Sequence, residues 1–321
     1  MKKNINKDFK KRNLNITISI IIFLCLLLMV IIFYINSNKL ENKIKQPIDL
    51  IGSGISGLSY DLVGGLYRFQ GISQYTKEQY PHINEPVVAN YICFGTHSKD
   101  ECLKNTARYM YRIIGLDNNG RMKLIKDGNL LSKIEEVDWR FTYRYEHSSW
   151  VKDISWVDST MYSSLNGDKF LYDEYYFEDS KWIDKIIDYE WKYGTMSKEE
   201  INMDEFDFLD GDYFYELEEK WESSVVAKIG LISVSDYYYS PSGNKFGLIK
   251  NDALYYNGLL ANSWIGKIEM TITNGICFDQ FYEIQLDNTV KGRAYRPVFW
   301  VDSNIYFSSG NGEEESPFVI K

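Results

Sequence analysis

The chain reads as an α+β protein with mixed, mostly antiparallel sheets and a few short helices, preceded by one N-terminal transmembrane helix. Three observations predict this. Strand-like runs rich in β-branched and aromatic residues fall at both ends of the long C-terminal part, and helix-period apolar patterns lie between them. The chain also opens with basic residues ahead of a long uncharged apolar stretch. Strands gathered at the two ends, rather than alternating with helices, argue against a βαβ arrangement.

The opening segment is read first. Residues 14–35 contain no charged side chain, and at about 1.5 Å per residue they cover a hydrocarbon core of about 30 Å. Lys2, Lys3, Lys7, Lys10, Lys11 and Arg12 precede the stretch, against Asp8 alone. The positive-inside rule therefore expects a cytoplasmic basic tail over 1–13, a single span over 14–35, a Gly/Ser-containing linker over 36–63 and an extracellular domain over 64–321. A cleaved signal peptide would have a shorter apolar region, of about 7–15 residues, ending in small residues. Here the run ends in Tyr34-Ile35-Asn36-Ser37-Asn38. Cys25 follows Leu24 rather than Gly or Ala, which does not suit a lipoprotein cleavage box.

Of the 321 residues 45% are hydrophobic and 16% aromatic, including 26 Tyr and 17 Phe. That is enough to build a packed core and argues against wholesale disorder. The formal net charge is −9 for the whole chain, and it becomes −14 for the part beyond Ile35 once the basic tail is set aside. A domain this acidic is a poor match for nucleic acid, whose phosphates need Lys and Arg. The expected partners are the lipid bilayer, through the N-terminal helix, and a glycan, cell-wall polymer or surface protein.

Gly52-Ser53-Gly54-Ile55-Ser56-Gly57 matches the glycine spacing of a dinucleotide-binding turn. That chemistry needs a strand before it, a helix after it and an acidic residue about 20 positions on. The segment before it starts at Pro47, Gly64 and Gly65 interrupt the segment after it, and Gln74-Tyr75-Thr76 stands where the acid is needed. A flexible Gly/Ser linker is expected instead, and no cofactor.

Cys93 and Cys102 close a polar loop, and export makes a disulfide between them chemically possible. A structural bridge is expected, since no second Cys or His pair stands nearby to complete a zinc site. Cys277, in the apolar run Gly275-Ile276-Cys277-Phe278, reads as a buried thiol.

Along the outer domain, 65–69 and 88–92 read as short strands, and 111–116 with 122–125 as a hairpin around Asp117-Asn118-Asn119-Gly120. Ser159 caps a helix carrying Met161, Tyr162 and Leu165, which Asn166-Gly167 ends. A second helix is expected from about Ser180 to Trp191, with Trp182, Ile183, Ile186, Ile187 and Tyr189 on one face and Gly194 as its stop. Residues 203–222 are acidic and aromatic. Asp210-Gly211-Asp212 resembles a fragment of a calcium loop, but Phe206 and Phe208 occupy positions where an EF-hand needs oxygen ligands. A solvated loop leading into a charged helix is the reading. Strands are expected again over 226–237, 267–273, 282–286 and 295–301.

These landmarks, taken in order, resemble a family of exported domains of unknown function from Gram-positive and related bacteria. They are Gly65-Leu66-Tyr67-Arg68-Phe69-Gln70-Gly71, then Asn90-Tyr91-Ile92-Cys93-Phe94-Gly95 with Cys102, Tyr111-Arg112-Ile113-Ile114-Gly115, and Ser159-Thr160-Met161. Lys228-Ile229-Gly230-Leu231 with Ser235-Asp236-Tyr237, Arg296-Pro297-Val298-Phe299 and Ser316-Pro317-Phe318 complete the order. Such domains are distantly similar to the C-type-lectin-like fold, which also houses formylglycine-generating enzymes. The resemblance implies an exported domain on a scaffold that hosts sugar binding, protein binding and oxidase chemistry alike. Only Cys277 stands near the C-terminus, where the oxidase chemistry uses a pair of reactive cysteines.

No catalytic residue is assigned. His82, His97 and His147 are the only histidines, and none falls in a Ser-His-Asp, H-E-x-x-H or P-loop context. Arg140, Arg144 and His147 beside Glu146 fit a cleft or a charged surface strand equally well. The expected function is a non-catalytic binding or adhesion module at the cell surface. An extracytoplasmic hydrolase and an envelope-assembly protein are the alternatives.

Overall fold

A computed structural model of the chain describes residues 23, 25–29, 44–82, 84–127, 156–177, 179–194, 211–240, 265, 272, 276–278, 284–286 and 296–321. The chain divides into two units, Met1–Ile44 and Lys45–Lys321. In the first, Phe23 and residues 25–29 are helical and exposed. The rest of the expected span over 14–35 lies outside the described residues, and among those described no helix is long and apolar enough to cross a membrane.

In the second unit the expected hairpin forms its centre. Strands β4 (Met110–Leu116) and β5 (Met122–Lys126) are buried along their whole length. Covering both faces removes the need for polar alternation, and the charged residues the two strands do carry, Arg112, Lys123 and Lys126, are buried as well. The turn closes because the Asp117 carboxylate accepts the N–H groups of Asn119 and Arg121, each at 2.9 Å. Gly120 takes a φ of +82°, a conformation that suits glycine.

Around this hairpin lie β1 (Leu58–Asp61), β2 (Leu66–Phe69), β3 (Tyr91–Cys93), β8 (Ile229–Gly230), β11 (Val298–Val301), β12 (Phe307–Ser309) and β13 (Phe318–Ile320). The sheet runs β12-β13-β3-β4-β5-β11-β8, and β2 pairs both β4 and β1. Only β13 with β3 is parallel within it. Two further antiparallel pairs stand apart, β6 (Tyr189–Lys192) with β7 (Ser224–Ala227) and β9 (Ile276–Phe278) with β10 (Ile284–Leu286). The helices are short: α1 (Gln74–Gln79), α2 (Lys99–Lys104), α3 (Thr106–Tyr109), α4 (Thr160–Leu165), α5 (Lys181–Asp184), α6 (Gly211–Glu219) and α7 (Val234–Tyr239). A mixed fold with mostly antiparallel sheets and few helices is therefore what the chain adopts.

The core on one face of the sheet is aromatic. Phe94 meets Trp182, Phe299 and Tyr111 edge-on or tilted, with ring centroids 5.0, 5.1 and 5.8 Å apart. These are favoured arrangements for rings carrying a quadrupole. Many of the tyrosines thus serve as packing, as Tyr109, Tyr111, Tyr237, Tyr238 and Tyr239 are all fully buried.

Three expectations differ from the structure. The Gly/Ser segment expected to run as a linker to residue 63 enters the compact unit at Lys45. Its Pro47–Leu50 turn buries Leu50, its glycines Gly52 and Gly54 lie in turns at positive φ, and its last residues form β1. The expected helix over 180–191 is one turn, α5, followed by the strand β6. The run Ile186-Ile187 is β-branched, Ile186 bridges to Val301 and Ile187 N–H bonds Trp300 O at 3.0 Å. Pairing with the main sheet overrides the helical spacing. Conversely, the expected strand over 226–237 ends in helix α7, because Ser233 Oγ accepts the Asp236 N–H at 3.1 Å and caps it.

Candidate functional site

At one end of the sheet a buried charge cluster forms the base of a cleft. Arg68, on β2, donates from Nε to Asp61 Oδ2 at 3.0 Å and from Nη1 to Asp236 Oδ1 at 2.6 Å. Lys123, on β5, donates to the other Asp236 oxygen. Asp61 also accepts the N–H groups of Val63 and Gly64 at 3.0 and 3.1 Å, which closes the β1–β2 turn. Asp236 is supplied by the first turn of α7, so four elements converge on these side chains. Arg68, Lys123 and Asp236 are 3%, 9% and 4% exposed.

The cleft above them has a volume of about 320 Å³, at the lower end of the range for small-ligand sites. Its floor is the pair Lys123 and Trp300, which face one another across β5 and β11. Directly opposed residues of an antiparallel pair project from the same face. One wall is strand β6, backed by its antiparallel partner β7. Tyr189 stacks on Trp300 with centroids 5.1 Å apart, and Trp191 donates from Nε1 to Ala227 O at 3.0 Å. The other wall is α6 with Tyr215, Glu218 and Glu219, followed by the half-buried Trp221.

Glycines seat both tryptophans. A Cβ on Gly230 would come within 2.5 Å of the Trp191 ring, and one on Gly194 within 2.7 Å of Trp221. Gly194, expected as a helix stop, works instead as a clearance for an indole ring.

Each cation of the cleft is matched by a carboxylate. Lys192 Nζ lies 2.8 Å from Glu219 Oε2, and Glu190 accepts from Ser224 Oγ at 2.7 Å. Burial pushes Asp236 up, but Lys123 and Arg68 outweigh it and hold the carboxyl well below the usual range. Glu218 behaves oppositely. Its burial raises it to about 7, helped by the charge of Asp236 and opposed by hydrogen bonds from the Ser235 hydroxyl and N–H. Trp300 is 3% exposed, and its Nε1 has no hydrogen-bond partner among the described residues.

The sequence-predicted positions fall elsewhere. Cys93 and Cys102 are joined as a disulfide with Cα atoms 5.9 Å apart, fully buried beside Tyr109, Met110 and Val319, and neither lines the cleft. His97 Nδ1 lies 2.9 Å from Ile320 O, with its ring against Trp182. Asp212 of the acidic segment accepts the Tyr239 hydroxyl at 2.6 Å. Residues 203–210, and Arg140, Arg144, Glu146 and His147, lie outside the described residues. So does the strand expected over 267–273, except Ile272, and nothing is described of the Cys277 side chain. Among the described residues no group of three or more His, Cys, Asp or Glu is placed to hold a metal ion.

Sequence reasoning passed over Lys123, Glu218 and Trp300. One signal was there: Lys123 interrupts the apolar run Met122-Lys123-Leu124-Ile125, and a lysine inside a buried strand needs a partner. The partner, Asp236, is 113 positions away. Comparison with known proteins finds no matching family model, no matching curated protein and no matching solved structure.

Proposed function

We propose that the chain is a membrane-anchored bacterial surface protein whose unit Lys45–Lys321 is a non-catalytic binding module for a glycan, including the glycan portion of a wall polymer. The observation that carries the reading is the cleft between strand β6 and α6. Its walls present Tyr189, Trp191, Tyr215 and Trp221, while its cations are already engaged by its carboxylates. Aromatic faces beside polar groups suit a ligand with apolar ring faces and hydroxyl edges. Anchoring is supported by the uncharged stretch 14–35 behind six basic residues. The resemblance of the ordered landmarks to exported bacterial domains supports the same placement.

Binding of the full chain to insoluble cell wall and to a glycan array tests the module. Trp221→Ala should reduce retention at least tenfold while leaving the unfolding midpoint within about 1 kcal/mol of the parent, because Trp221 is only half-buried. Failure of the parent protein to bind either target overturns the reading. Protease added to intact cells should cleave the Lys45–Lys321 part, and protection until lysis overturns the placement.

A second reading, a glycoside hydrolase, has one observation in its favour. Two acids on the same cleft are pushed apart, Glu218 up to about 7 and Asp236 well down, the pattern of an acid and an ionised partner. Asp236 is however held by two cations, one on each carboxylate oxygen, which weakens it as a nucleophile. Turnover of bound oligosaccharide that Glu218→Gln abolishes without loss of binding would favour this reading. Binding without turnover disposes of it.

A further inference from the structure

The glycan reading leaves open which sugar the cleft takes, and the inventory of its donors, acceptors and apolar surface narrows the choice. The described charged residues lining it are Arg68, Lys123 and Lys192 against Glu190, Glu218, Glu219 and Asp236. Each cation already faces a carboxylate, at 2.6 Å for Arg68 with Asp236 and 2.8 Å for Lys192 with Glu219. A ligand phosphate or carboxylate would have to break one of those pairs and then sit beside the displaced carboxylate. A ligand ammonium would be repelled by Lys123 at the floor and Lys192 at the wall, and the two carboxylates without a cation, Glu190 and Glu218, already accept from Ser224 and Ser235. The cleft therefore suits an uncharged ligand.

The floor asks for an acceptor. Among the described residues Lys123 Nζ makes one hydrogen bond, to Asp236, and otherwise faces the Trp191 ring with its centroid 5.7 Å away, so the ammonium has donor capacity left for an oxygen acceptor. Trp300, its cross-strand neighbour, carries a buried indole N–H with no partner among the described residues. A buried donor gains from an acceptor, so a carbonyl oxygen delivered to Lys123 would gain more than a hydroxyl delivered to solvent. Leu231 and Ile272 line the same cleft and are fully buried, giving an aliphatic recess. A planar group with an acceptor oxygen and a methyl matches donor and recess together. A sugar ring attached to it would lie against the half-buried Tyr215 and Trp221.

Resting on the proposed glycan function, we infer that the ligand is a neutral sugar bearing an acetamido group, its carbonyl directed at Lys123 and its methyl at Leu231 and Ile272. The ring itself stacks on the Tyr215–Trp221 wall.

The test uses the full chain in detergent micelles, read by tryptophan fluorescence and by calorimetry. Three tetrasaccharides of one linkage are compared: N-acetylglucosamine, glucosamine and glucose. The acetylated oligomer should bind at least tenfold more tightly than either of the others. Ile272→Phe, which fills the recess, should weaken binding of the acetylated oligomer at least tenfold and remove its preference over the glucose oligomer. Lys123→Met should do the same, with a melting curve run alongside. Should Lys123→Met not fold, the Ile272→Phe comparison decides. Equal affinity for the glucose oligomer, or tighter binding of the glucosamine oligomer, overturns the acetamido inference and leaves the glycan reading standing. Absence of binding by all three overturns both.

Discussion

Lys126 reaches from β5 to the carbonyl oxygens of Thr106 at 3.2 Å and Met110 at 2.7 Å, with its ammonium 4.5 Å from the Tyr111 ring centroid. Burial lowers it to about 7, only partly offset by Asp127. A base depressed in the fold contributes stability that is present above its unfolded value, about 10.4, and lost as pH falls through 7. Glu218 has the opposite sign. Raised to about 7 by burial, it contributes stability that is full below its unfolded value, about 4.3, and lost as pH rises through 7. Denaturation midpoints of the full chain between pH 4.5 and 10 should therefore fall toward neutrality and recover toward alkaline pH, each limb on the order of 3 kcal/mol. Glu218→Gln should flatten the acid limb and Lys126→Met the alkaline one. Lys126→Met should also stabilise the protein at pH 7. Both carbonyls it leaves keep a backbone donor, Met110 N–H for Thr106 and Asp127 N–H for Met110. A variant that loses stability at pH 7 would show that the lysine is held by more than these two acceptors.

At the scale of elements, the short strand β8 ties the cleft together. Asn166, just past α4, donates to Ile229 O and accepts from Ile229 N, both at 3.0 Å, so the end of one helix fixes the strand. Gly230 in that strand supports the Trp191 ring. Gly230→Ala should displace the indole, cost about 1–3 kcal/mol and weaken ligand binding in proportion. An unchanged near-ultraviolet circular dichroism spectrum would sink this account. Here the limits of local reading are plain. The hairpin around Asp117–Gly120 and the Ser159 cap were legible, because a turn and a cap are made by residues within a few positions of each other. β6 was read as helix, because an Ile/Trp pattern fits either period and the choice fell to its partners β7 and Val301. α7 was read as strand, although Ser233 followed three residues later by Asp236 was a local capping signal.

For the molecule as a whole, the bridge Cys93–Cys102 fastens β3 to α2 within a buried cluster that includes Val319 of the C-terminal strand β13. The closed loop is short, with a separation of 9 positions, so its removal should cost about 2–3 kcal/mol by loop entropy. The double variant Cys93→Ala, Cys102→Ala should shift the urea midpoint by that amount with little change in slope, and an unshifted midpoint would remove the bridge from any stabilising role. The sequence alone was enough to determine the class of the fold, its antiparallel bias, the central hairpin and the cysteine pair. All of these rest on periodicity, turn chemistry or residues close in the chain. The cleft was decided only by tertiary structure. Lys123, Asp236, Glu218 and Trp300 come from distant positions, and what brings them together is the sheet register and the need of each buried charge for a partner. A local window marks at most that Lys123 needs a partner, and never that the partner is Asp236.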